Sequence, residues 1–275
     1  MKYGYLGPRG TFSHTAADFF AKNEETVPFP SIYAVLSALS EGSVDFAVVP
    51  IENSTEGSVN ASVDSLIFDF DFSLKAQLNL PITENLAVKP ETKFEDITKV
   101  ISHPQPIAQC SRYLRNNLPD VPTETVSSTA AAMQIVAETN KPLAAIGGAK
   151  AAELYGLKVI REHIQDNDSN FTQFALVSRD TSHPTEYKER ITIAFSVFNE
   201  PGTLLRILTV LSMFDLNMIK ILSRPMRNRP EEYVFYIDLE NADKKDIDDA
   251  FTMIKRKASF FKFLGTYDIY DLRKH

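Results

Sequence analysis

Cysteine is nearly absent from this 275-residue chain. Cys110 stands alone, which excludes an intrachain disulfide framework and any cysteine-rich zinc site. Long apolar runs are missing as well: nothing reaches the ~18 consecutive apolar residues of a membrane span. The opening MKYGYLGPRG has no hydrophobic segment of signal-peptide length. Positive charge is in deficit, with 29 Lys and Arg against 36 Asp and Glu for a net charge of −7, a poor match for nucleic acid or an anionic membrane. His14, His103, His163, His183 and His275 show no close pairing with Cys or carboxylates, so no metal site is read. Neither G-x-G-x-x-G, nor a Walker A sequence, nor a G-x-S-x-G elbow occurs. What is there is an ordinary globular composition, 44% hydrophobic and 24% charged. At roughly 150 residues per domain the length suits two domains, and a cytoplasmic protein in a reducing compartment is expected.

Over the first 180 residues one phrase recurs: a short apolar strand, a polar loop of small residues, an amphipathic helix. Tyr3–Leu6 runs through GPRG to a helix near Ser13, and Val44–Pro50 through IENSTEGS to one from about Val59. Lys99–Ser102 runs through HPQP to IAQCSRYLRNN, SST opens AAAMQIVAE, and Leu143–Gly148 leads into AKAAELYG. This alternation predicts parallel sheets covered by helices. The polar, aperiodic stretch Ser178–Arg190 reads as a linker. Beyond it ITIAFSVF alternates like a half-buried strand, and Pro201–Gly202 opens a helix striped by Leu204, Leu208 and Leu211. The strands NMIKIL and EYVFYIDLE, a helix capped by Asp243, and FFKFLGTYDIY complete a βαββαβ order, a ferredoxin-like module.

Ligands of open α/β sheets sit beyond the carboxyl ends of the strands. The loops there hold Thr11 and Ser13, Asn53, Ser54 and Thr55, Ser102 and Gln105, Ser127 to Thr129, and Gly147 and Gly148. Such neutral hydrogen-bonders cap helices, and capping alone explains any single loop. Five loops together point to a polar cleft, in which converging helix N–H groups would hold an anion. The segment DNDSNFTQF sets Thr172 between Phe171 and Phe174. A hydroxyl in that low-dielectric setting donates a strong hydrogen bond without being a conventional acid, while a plain strand-edge role explains the same residue. His103 reads as positioning the turn before Pro104, and Cys110 as packing.

YLGPRGTFSHTAA (Tyr5–Ala17), VVPIENSTEGSV (Val48–Val59), SHPQPIAQC (Ser102–Cys110), STAAA (Ser128–Ala132) and NFTQF stand in the order seen in prephenate dehydratases. EPGTLLRILTVLSMFDLNMIKILSRP followed by EYVFYIDLE is similar to the ACT regulatory module of that family. The resemblance implies an α/β catalytic domain over 1–182 with two lobes like a periplasmic binding protein, and a ferredoxin-like ACT domain over 190–275. Lobe one would take about 1–77 and 159–182, lobe two about 78–158, with crossings near Leu78 and Val159.

The implied activity is decarboxylative dehydration of prephenate to phenylpyruvate in phenylalanine biosynthesis, without metal or cofactor. Thr172 would be the donor to the leaving hydroxyl, and Thr11, Asn53, Ser54, Ser102, Gln109, Ser128, Thr129, Gln173 and Phe174 would surround the substrate. The resemblance further implies L-phenylalanine as an effector held by Gly202, Thr203, Leu204, Asn217, Ser223, Arg224 and Pro225, in a homodimer or homotetramer. The competing readings are an arogenate dehydratase and a non-catalytic amino-acid sensor. Two departures stand out. The family's Thr-Arg-Phe reads Thr172, Gln173, Phe174, which removes a carboxylate partner or a structural ion pair. Its Gly-Ala-Leu-Val and Glu-Ser-Arg-Pro read Gly202–Leu205 and Leu222–Pro225, where Leu205 and Leu222 change the size and charge of the effector site.

Overall fold

The computed structural model describes residues 1–182, 184–227 and 229–274. His183 and His275, two of the histidines set aside as ligands, lie outside the described residues, as does Asn228. The chain opens with β1 (Lys2–Leu6), α1 (Phe12–Ala21), β2 (Glu25–Phe29), α2 (Ile32–Glu41), β3 (Phe46–Asn53), β4 (Gly57–Ser58), α3 (Asn60–Asp64, continued by a wider turn over Ser65–Asp69) and β5 (Ser73–Pro81). It crosses over 82–84 into β6 (Asn85–Val88), β7 (Lys99–Ser102), α4 (Pro104–Gln109), α5 (Ser111–Asn117), β8 (Thr123–Thr125), α6 (Thr129–Glu138), β9 (Leu143–Gly147), α7 (Ala149–Leu154) and β10 (Lys158–Arg161). It returns over 162–170 to β11 (Phe171–Ser178). The C-terminal module is β12 (Arg190–Val197), α8 (Thr203–Met213), β13 (Met218–Met226), β14 (Arg229–Glu240), α9 (Lys244–Lys257) and β15 (Phe260–Asp271).

The crossings correct the expected boundaries. Leu78 lies inside β5 and Val159 inside β10, so lobe one keeps the whole of β5 and lobe two the whole of β10. The parallel order also fails, apart from the two-residue β4 antiparallel to β3, at β11 and β6. β11 is antiparallel to β3 and β5, and β6 is antiparallel to β9 and β10. Each of these strands enters its sheet from a crossing, at the end opposite to its neighbours, and so must run the other way. The single helix expected after HPQP is two. Cys110, fully buried, joins them, and the Asp166 carboxylate accepts from Ser111 Oγ (3.1 Å) and Arg112 N–H (3.0 Å) to cap the second.

Period-two alternation builds lobe two: Val100, Ala144 and Ile146 pack with Cys110 and Leu114 on one face of the sheet, Ile101 and Ala145 with Met133 and Val136 on the other. Lobe one repeats the plan, with Ala47, Val49 and Ile51 against α2 and Tyr5 and Val48 against α1. The unexpected feature is continuity. β15 pairs in parallel with β5, and the strands of lobe one and the module form one ten-stranded sheet. Gly265 permits the approach. A Cβ there would stand 2.4 Å from the Leu74 carbonyl oxygen, and its φ of +144° disfavours any other residue. Ala194, Val234, Tyr236, Leu264 and Tyr267 of the module accordingly share one core with Leu66 and Phe72 of lobe one.

Candidate active site

A cavity of about 430 Å³ opens between the lobes. Lobe one contributes Thr11, Phe12, Pro50, Asn53, Thr172 and Phe174; lobe two contributes His103, Gln105, Gln109, Ser128 and Thr129; the crossings contribute Ile82, Glu84 and Asn170. Among the described residues no lysine or arginine lines it.

At its centre lies a relay of neutral groups. β11 pairs with β3 so that Thr172 lies directly opposite Asn53. Asn53 Nδ2 donates to Thr172 Oγ1 (2.9 Å) and to Asn170 Oδ1 (3.2 Å). Asn53 Oδ1 is in turn held by Thr55 N–H (3.0 Å), Thr55 Oγ1 (2.6 Å) and Glu56 N–H (3.2 Å), which orients its amide with the nitrogen towards Thr172. Thr172, 8% exposed, therefore accepts a hydrogen bond and keeps its own proton for a ligand. Asn170 Nδ2 reaches across to Gln109 Oε1 at 3.3 Å, a direct side-chain link from the crossing to lobe two.

Thr11 and Ser128 do cap their helices: Thr11 Oγ1 accepts from His14 N–H (3.3 Å) and Ser128 Oγ from Ala131 N–H (3.0 Å). They bring the starts of α1 and α6, each ten residues long, to opposite walls of the cavity. The positive dipole ends offset the absence of basic side chains. Phe174, 2% exposed, and Phe12 supply an apolar flank.

Three expected site residues do not line the cavity. Ser102 is fully buried and its hydroxyl donates to the Ile146 carbonyl at 2.8 Å, which ties β7 to β9. Ser54 accepts from Phe171 N–H (3.0 Å) and donates to Asn170 Oδ1 (3.3 Å), so it fastens the loop behind the site. Gln173 follows Thr172 in a strand and so faces away, paired opposite Glu52. The departure from the family's arginine thus lies outside the cavity. Conversely, Asn170 and Glu84 were missed. Asn170 adjoins the threonine and is one of many polar residues in its segment. Glu84 is the only acid between Pro81 and Val88, in a stretch that belongs to none of the strand-to-helix loops. His103, assigned to the turn, caps α4 through Nδ1 and also lines the wall.

The module holds a second depression of about 260 Å³, lined by Gly202, Thr203, Leu204, Leu205, Tyr233 and Phe235 among others. Ser223 and Pro225 stand opposite Phe235 and Tyr233 in the sheet. Arg224 points to the other face, where Nε and Nη2 meet both Asp64 carboxylate oxygens (2.6 and 2.7 Å), and Leu222 packs into the core shared with lobe one. Alternation along β13 separates them from Ser223. Asn217 lies at the far end of α8 and donates to Glu240 Oε2 (2.7 Å). Arg224 and Asn217 are therefore not part of this depression, and Ser223 and Pro225, though strand neighbours of two lining residues, do not line it.

A family model described as prephenate dehydratase matches residues 3–182, the two lobes together. The chain belongs to the prephenate dehydratase family. It is 39% identical to the prephenate dehydratase of Lactococcus lactis subsp. cremoris over 99% of both chains. To that of Bacillus subtilis it is 34% identical, over 99% of this chain and 100% of the other. The structure of an Arthrobacter aurescens prephenate dehydratase in complex with L-Phe superposes with a TM-score of 0.88 at 30% identity, covering 98% of this chain and 90% of that one. As a prephenate dehydratase this chain is an enzyme, a carbon–oxygen lyase, and its two-lobed α/β fold is the one its solved relatives share.

Proposed function

We propose that the inter-lobe cavity performs the reaction and that Thr172 is the donor to the leaving group. Prephenate is a dianion with a ring carboxylate, a pyruvyl side chain and a hydroxyl on C4. The bond from C1 to its carboxylate breaks and releases carbon dioxide. The electron pair moves into the ring, aromatises it and expels the C4 oxygen, which leaves as water once protonated. Aromatisation drives the reaction, so the site must chiefly stabilise negative charge growing on one oxygen while holding both carboxylates still. The observation that carries this reading is the Asn53-to-Thr172 hydrogen bond. By donating to Oγ1 it strengthens the threonine as a donor and turns its O–H away from Asn53. A threonine is too weak an acid to give up its proton in the ground state, and its hydrogen bond tightens as charge develops. Gln109, Ser128, Thr129 and Thr11 hold the carboxylates from both lobes, and Phe174 faces the ring.

Regulation by L-phenylalanine belongs to the same reading. It is supported by the depression at Gly202–Leu205 and by the L-Phe complex of the Arthrobacter aurescens relative. Leu205, Met213, Ile219, Ile221 and Tyr233 expose apolar surface on the module, which fits a second copy of the chain in a homodimer or homotetramer. Purified protein assayed for phenylpyruvate formation, with prephenate and separately with arogenate, and with and without L-phenylalanine, tests all of this. Turnover of prephenate that falls as phenylalanine is titrated is expected. Rates unmoved by phenylalanine overturn the regulatory part, and a Thr172→Ala enzyme as fast as the parent overturns the site.

A further inference from the structure

Glu84 lies in the outward crossing between the lobes, and its backbone is clamped there. Its N–H donates to Gln165 Oε1 (3.0 Å), and its carbonyl accepts from Ile164 N–H (2.9 Å) in the returning segment. The side chain lines the catalytic cavity while the residue is only 2% exposed, and Oε2 has no hydrogen-bond partner among the described residues. A buried, unpartnered carboxyl oxygen is costly unless something else completes it. Burial pushes this carboxyl up to about 7, so below that pH it carries a proton it can give to a hydrogen bond.

The substrate is doubly negative, and no lysine or arginine lines the cavity among the described residues. An ionised Glu84 would repel it. A neutral Glu84 offers what a carboxylate lacks, an O–H donor. We propose that Glu84 is a substrate-binding residue whose protonated carboxyl, held at the lobe crossing, donates a hydrogen bond to a carboxylate oxygen of prephenate. The inference rests on the cavity being the active site. A substrate bearing an ammonium group would select the opposite, ionised state.

Four other titratable or charged groups bear on it. Cys110, at the α4–α5 joint, has its thiol pushed up by burial and stays neutral. Asp166 lies beyond Cys110 and is bonded to Ser111 and Arg112. His103 and Glu56 face the same cavity from α4 and the β3–β4 loop. Gln165 and Asn85 beside Glu84 are uncharged.

The test is a profile of kcat/KM for prephenate from about pH 5.5 to about pH 9 in the parent and in Glu84→Gln, whose amide donates at every pH. The parent should lose about tenfold per unit above neutrality, through KM, while the glutamine variant shows no alkaline fall whatever its absolute rate. The same fall in both proteins overturns the proposal and assigns the titration to another group. A second measurement does not depend on that variant folding. Calorimetry of prephenate binding to Thr172→Ala at about pH 8, in buffers of different ionisation enthalpy, should show proton uptake on binding. Binding without uptake overturns the proposal. Activity undiminished in Thr172→Ala would instead indict the choice of cavity, which keeps the two failures apart.

Discussion

Lobe one has two junctions, and they are built from different chemistry. Towards lobe two it presents a cavity walled by hydroxyls, amides and helix starts, bridged at its centre by Asn170 and Gln109. Towards the C-terminal module it presents backbone pairing and charge. β5 and β15 share a ladder, Arg224 grips Asp64, Lys220 meets Glu52 at 2.5 Å, Arg227 pairs with Asp69, and Lys262 donates to the carbonyls of Leu66 (2.9 Å) and Phe70 (2.5 Å). The first junction leaves hydrogen-bonding capacity unused, which a ligand can take up. The second is spent on a shared strand ladder and ion pairs, which joins the module and lobe one in one sheet. The difference teaches where each kind of group belongs. Neutral donors suit a place that must be emptied and refilled, while paired charges suit a seam that stays closed.

The seam also runs close to the site. Glu52, held by Lys220 of the module, precedes Asn53, which orients Thr172. A shift of β13 therefore has a short covalent and ionic path to the donor, which gives the effector reading a physical route.

The comparison breaks most sharply at Thr172. Replacing it by alanine should cut kcat/KM about 100- to 1000-fold, ~2.7–4 kcal/mol of barrier, with little change in the denaturation midpoint. A variant that unfolds readily yet turns over normally would reverse the assignment of the two junctions. Glu84 comes next and concerns stability. Its carboxyl is raised from 4.5 to about 7 in the fold, so the folded chain binds more protons than the unfolded one between those values. The resulting stability is full below the unfolded value and is lost as pH rises through the folded one. The parent should lose about 3 kcal/mol between about pH 4 and about pH 8 that Glu84→Gln does not lose, as read from urea melts at both pH values.

At the seam, Arg224→Met should cost roughly 2 kcal/mol by removing a two-pronged contact with Asp64. The unregulated rate should persist while the response to phenylalanine weakens, and an unchanged urea midpoint would show the pair to be idle. The smallest effect is expected at Gln173. Restoring the family's arginine there should leave KM within about twofold, because the side chain faces away from the cavity. A large fall in KM from steady-state kinetics would place that face within reach of the substrate after all.

Much of this was legible in the residues. Strand–loop–helix alternation, the Ser128 and Thr11 caps, the βαββαβ order of the module and the Asn53, Gln109 and Thr172 motifs all rest on local spacing, which short-range geometry enforces. Other features have no local signal. Ser102 and Ser128 are both serines at the ends of loops, yet one hydroxyl is spent on the Ile146 carbonyl and the other faces the cavity. Arg224 and Ser223 are adjacent in the chain and end on opposite faces of β13.

By itself the amino-acid order determined the family, the element types and the hydroxyl- and amide-rich loops of the site, because these follow from periodicity, capping and motif order within a few residues. Only the tertiary structure decided which polar groups remain unspent. It joined β15 to β5 through Gly265, turned Arg224 to Asp64, and left one oxygen of Glu84 buried without a partner among the described residues. Each of those outcomes depends on an atom brought in from more than 60 residues away, or on the failure of any to arrive.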